Sequence, residues 1–93
     1  MKVIFKYFLY SADVGTIDDL RVKIPKERKI IHFGYDANRQ ACLWAEVKDD
    51  TPESEMEVLE IARVGTGWPL DNYGEHLGSL VNEPFVWHYY LKS

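Results

Sequence analysis

A chain of 93 residues has room for one domain, residues 1–93, and is long enough to bury roughly 60–65% of the surface that its unfolded form exposes. Its 46% hydrophobic and 28% charged residues exclude a disordered chain, and three Trp, six Tyr and four Phe favour strands. A formal charge of −4 excludes the basic footprint of a protein that grips nucleic acid through many phosphates, so direct nucleic-acid binding is not expected.

From Lys2 to Tyr10, Val3, Phe5, Tyr7 and Leu9 share one face while Ile4, Phe8 and Tyr10 share the other with Lys6, which reads as a first strand covered on both faces for part of its length. Lys6 also interrupts the apolar run, which is too short to span a membrane and lacks a small-x-small cleavage site, so neither leader nor anchor is expected. Ser11 to Asp19 reads as a loop, and its Asp18-Asp19 pair as a solvated turn, because adjacent residues of an extended chain point to opposite sides. Leu20, Val22 and Ile24 then alternate with Arg21 and Lys23 in a half-exposed strand that Pro25 ends.

The central feature is a hairpin. Ile30–Tyr35 and Ala41–Val47 flank the polar segment Asp36 to Gln40, whose short polar residues tolerate the left-handed conformations of tight turns. An odd loop places Ile31, Phe33 and Tyr35 with Ala41, Leu43 and Ala45, and His32 with Cys42 and Trp44. An even loop places Trp44 and Cys42 with Phe33. The odd register matches bulky residues against small ones and is preferred. Cys42, the one cysteine, permits no internal disulfide, suits a reducing cytosol and reads as a buried, inert thiol.

Asp49, Asp50, Glu53, Glu55 and Glu57 make an acidic segment, with helix-start signals at Thr51-Pro52-Glu53 and Ser54-x-x-Glu57 that allow a short helical turn near 52–57. Val58–Val64 is rich in β-branched residues and reads as a strand. Gly65 to Gly74 reads as a long loop, His76–Val81 as a strand, Asn82-Glu83-Pro84 as a turn and Phe85–Leu91 as the last strand. About six to seven short strands define an all-β fold, a single-domain antiparallel β-sandwich or small open barrel.

Several short elements occur in an order that resembles a family of small phage and prophage proteins of unknown function: Ile4-Phe5-Lys6-Tyr7, Ile24-Pro25, Cys42-Leu43-Trp44-Ala45, Val64-Gly65-Thr66-Gly67, Leu77-Gly78 and Val86-Trp87-His88. The resemblance spans nearly the full length. It implies a compact β-rich protein, encoded by a bacterial virus and acting in the host cytoplasm, and brings no activity with it.

Candidate sites follow from residue chemistry. Gly65-Thr66-Gly67 lacks the spacing and lysine of a P-loop, so a glycine turn is the first reading and a phosphate cradle the second. Trp68, an indole in a turn-rich loop, is less easily explained by core packing than one in a strand, which makes it a candidate for stacking on a base or a partner side chain. His32, His76 and His88 with Cys42 lack the short ligand spacing of structural zinc motifs; no metal and no cofactor is expected. With no nucleophile and base in a local motif, catalysis is not expected either. Two functions remain: non-catalytic binding of a host protein, a defence component among the candidates, with the acidic segment competing for a basic surface; or sequestration of a small nucleotide signal, with Trp68 and Trp87 stacking the base, Lys6 or Arg63 meeting phosphate, and the Gly65–Gly67 amides assisting. Exposed strand edges allow a homodimer with either function.

Overall fold

The computed structural model describes residues 1–11, 19–70 and 73–92. Among these residues lie eight strands, β1 (Lys2–Phe8), β2 (Tyr10–Ser11), β3 (Asp19–Pro25), β4 (Lys29–Tyr35), β5 (Ala41–Lys48), β6 (Met56–Gly65), β7 (Tyr73–Asn82) and β8 (Phe85–Lys92), and a 3-10 turn at Glu53–Glu55. Every pairing is antiparallel, in a three-stranded sheet ordered β1-β5-β4 and a five-stranded sheet ordered β2-β3-β6-β8-β7. The fold is all-β and sandwich-like. It is not closed into a barrel.

The sheets are joined along one side by the chain itself. At Leu9 the first strand breaks, the Leu9 amide donates to the Ala41 carbonyl at 3.2 Å, and Tyr10 crosses to pair with Arg21 of β3. The expected single strand from Lys2 to Tyr10 is therefore two, because the partner changes from β5 to β3. On the other side, β4 and β7 approach each other without a ladder, and both carry register irregularities, at Ile30/His32 in β4 and between Tyr73 and Gly78 in β7. Such irregularities interrupt the row of ladder groups that an edge strand presents to another chain.

The core fills the space between the sheets. Val22, Leu43, Ile61, Leu80 and Tyr89 form one buried cluster, and Ile24, Ala45 and Val47 another, each fully buried Val, Leu or Ile side chain contributing about 1.5–3 kcal/mol. Phe33 crosses from β4 to lie on Gly78 of β7, its ring 4.7 Å from that of Tyr89, and a Cβ at Gly78 would come within 2.8 Å of Phe33 Cδ2. Only glycine lets the ring seat there.

The preferred odd register of the hairpin is the observed one near its turn: Phe33 pairs with Leu43, Tyr35 with Ala41 and His32 with Trp44. Past the bulge the parity changes, so Ile30 rather than Ile31 faces Ala45 and the core, and Ile31 is exposed. Cys42 is buried and its thiol donates to the Gln40 carbonyl at 3.3 Å; burial is the main cause that pushes the thiol up from its ordinary pKa. The helical turn appears at Glu53–Glu55, and the strand expected over Val58–Val64 extends from Met56 to Gly65.

Other expectations are corrected. Ile4 and Phe8, read as partly covered, stand 58% and 48% exposed on the outward face of the three-stranded sheet. Ser11 and Asp19, read as loop, lie in β2 and β3; residues 12–18, Asp18 among them, fall outside the described residues. Tyr73 and Gly74, also read as loop, begin β7, while Asp71 and Asn72 are outside the described residues. The acidic segment is largely engaged within the chain: Glu57 Oε2 accepts from Arg28 Nη1 at 2.6 Å, Glu53 pairs with Lys23, and Asp49 lies 3.4 Å from the N-terminal amine.

Candidate functional site

The site is built where β6 ends. Gly65 to Trp68 forms a β-turn in which the Trp68 amide donates to the Gly65 carbonyl at 3.2 Å, and Gly67 takes a φ of 88°. A positive φ at the third position is the requirement of a type II turn, and it explains glycine there. The glycines thus make a turn, as first read. The Trp68 amide is used inside it and is not offered to a phosphate.

This turn sets Trp68 beside Trp87 of β8. The two indoles meet edge to face, centroids 6.2 Å apart at 87°, with Trp68 58% exposed. A methyl group placed on Gly65 would touch both rings, at 3.4 Å from Trp87 and 3.5 Å from Trp68. The Arg63 guanidinium lies 4.1 Å above the Trp87 ring, and Phe85, which is exposed, lies 5.5 Å from it.

Register explains the grouping. Arg63 pairs with Tyr89 and Gly65 with Trp87, so Arg63, Trp87 and Tyr89 share the inward face of the five-stranded sheet. Tyr89 is buried in the core, whereas Trp87 is only half-buried and Phe85 is exposed, so this face passes from core to surface along β8. The Arg63 side chain also hydrogen-bonds to the Tyr89 hydroxyl; burial raises the Tyr89 pKa and this bond acts against the rise. The guanidinium is thereby in contact with a core residue on one side and an indole on the other.

Beside the turn is a cleft of about 350 Å³ lined by Arg63, Trp68, Pro69, Tyr73, Lys92 and Asp19, with Lys92 and Asp19 paired across it. Six of the seven candidate residues, Arg63, Gly65, Thr66, Gly67, Trp68 and Trp87, therefore meet at one place. Lys6 does not join them. It lies on the outward face of the three-stranded sheet, 3.3 Å from Asp36 and 4.7 Å from the Phe8 ring centroid. The imagined zinc constellation is split in the same way: His76 and His88 are neighbours on the five-stranded sheet, while His32 packs on Trp44 of the three-stranded sheet, on the outward face that also carries Cys42. Among the described residues, no group of three or more His, Cys, Asp or Glu is placed to hold a metal ion.

Sequence reasoning passed over Phe85 and Tyr73. The signal for Phe85 was present, since it precedes Trp87 by two residues on a strand and shares its face.

The chain thus defines a small antiparallel β domain that carries an exposed aromatic turn braced by an arginine. It belongs to the DUF7352 family, a domain of unknown function, whose profile matches residues 1–93. No curated protein and no solved structure matches the chain. Among the described residues, no helix is long and apolar enough to cross a membrane.

Proposed function

We propose that this domain acts by recognition, as a virus-encoded accessory protein that uses the Trp68 turn to bind a host protein in the host cytoplasm, a defence component being one candidate target. The observation that carries this reading is the pairing of an exposed indole with a second one held in place by Arg63. Tryptophan and arginine dominate the binding energy of protein interfaces, above all where the aromatic anchor is already ordered. Trp68, Leu70 and Phe85 expose apolar surface, and the Arg63–Trp87–Trp68 cluster contains no nucleophile–base pair, so its chemistry is contact rather than bond making. With much of the acidic segment paired internally, the aromatic turn takes over the role first assigned to that segment.

The cleft beside Trp68 supports the second reading, a small nucleotide ligand stacked on the indole, since its volume falls at the lower end of small-molecule sites. Two experiments separate the readings. Tagged domain in lysate of infected host cells is expected to retain a host protein, and recovery of none contradicts the first reading. A thermal-shift panel of cyclic and linear nucleotides is expected to leave the melting temperature unchanged; a concentration-dependent rise establishes the second.

A further inference from the structure

The outward face of the five-stranded sheet carries a row of four hydrogen-bonded side chains. Thr66 Oγ1 lies 2.8 Å from His88 Nε2 and 3.5 Å from the Val86 carbonyl oxygen. Ser79 Oγ lies 2.6 Å from His88 Nδ1 and 3.2 Å from His76 Nε2. Ser79 and His88 are direct cross-strand partners, and their neighbours Leu80 and Tyr89 point the other way, into the core.

With the His88 proton on Nε2, that N–H donates to Thr66 Oγ1 and the Thr66 hydroxyl faces the Val86 carbonyl oxygen. His88 Nδ1 then bears the lone pair and accepts the Ser79 proton, while His76 Nε2–H donates to Ser79 Oγ. The result is a hydroxyl whose proton already points at an imidazole, the imidazole being oriented through its other nitrogen by a third side chain. That is the arrangement by which nucleophilic hydroxyls are activated. Ser79 is exposed and His88 half-buried, so a reagent reaches the oxygen while the base is held.

We propose that Ser79 is a nucleophile toward activated carboxylic esters, with His88 its general base and Thr66 a positioning residue. Ser79 Oγ attacks the ester carbonyl carbon as its proton passes to His88 Nδ1. The bond from that carbon to the leaving oxygen breaks, the leaving oxygen takes the proton from the imidazolium, and an acyl-Ser79 ester remains. This activity is additional to recognition at the Trp68 turn and does not depend on it; the two places share only Thr66.

The test uses the intact protein with p-nitrophenyl acetate, and with an alkyl fluorophosphonate, from which Ser79 displaces fluoride while His88 takes the proton. Mass spectrometry is expected to place one acetyl or phosphonyl group on Ser79. Ser79→Ala is expected to abolish the adduct, His88→Gln to slow its formation about 100-fold, and Thr66→Val to slow it while Thr66→Ser restores it. Melting temperatures close to wild type show that each variant is folded. Label on lysines or on His88 in place of Ser79, an unchanged rate in His88→Gln, or a Thr66→Ser variant as slow as Thr66→Val overturns the proposal.

Discussion

Asp36 does more to hold the central hairpin than the residues at its tip. Its carboxylate accepts the amides of Asn38 and Gln40, each at 2.9 Å, and the Lys6 ammonium at 3.3 Å, with 4% of the side chain exposed. The Gln40 amide above all, then Lys6 and Asn38, hold its carboxyl below the ordinary pKa, outweighing the rise from burial. A carboxyl with a depressed folded pKa stabilises fully above its unfolded value and loses that contribution as pH falls through the folded one. Asp36→Asn keeps an acceptor but loses the charge, so wild type is expected to exceed it in stability at pH 7, with the gap closing in acid; urea unfolding at a series of pH values measures this. At the tip, Arg39 takes a φ of 60°. Arg39→Gly is expected to be more stable than Arg39→Ala by about 1 kcal/mol, because both lose the guanidinium and only alanine keeps the steric penalty of that φ.

At the scale of elements, the strands that sequence made legible are those with one face in the core. Leu20, Val22 and Ile24 alternate cleanly against charged neighbours, and in β8 Trp87, Tyr89 and Leu91 turn one face to the core. The bulge in β4 was not legible, since Ile30 and Ile31 are equally apolar and only the packing of Ile30 on Ala45 chooses between them. The break at Leu9 is set by a change of partner, which no local pattern encodes. The seat of Phe33 on Gly78 is likewise a contact between distant segments. Gly78→Ala is expected to destabilise by about 1–3 kcal/mol through overpacking, a fall of roughly 4–8 °C in melting temperature for each kcal/mol. Adding Phe33→Leu is expected to recover part of the loss. A double variant that simply sums the two losses would show that the ring and the glycine are not coupled.

For the whole molecule, the pairing of β6 with β8 inside the five-stranded sheet brings the end of β6, the turn after it and the start of β8 to one place on the surface. Residue type alone marked Trp68 and the glycines. That Arg63 lies over the Trp87 ring follows from its pairing with Tyr89, a contact that its residue type did not reveal. Lys6, chosen for its charge in an apolar strand, proves to serve the hairpin through Asp36. This difference supplies a paired control. The most direct test is retention of the captured host protein by wild type, Trp68→Ala and Lys6→Ala, each first shown to be folded. Trp68→Ala is expected to weaken binding by about 2 kcal/mol, roughly thirtyfold, while Lys6→Ala leaves it unchanged. Equal retention by Trp68→Ala and wild type would contradict the assignment of recognition to the aromatic turn.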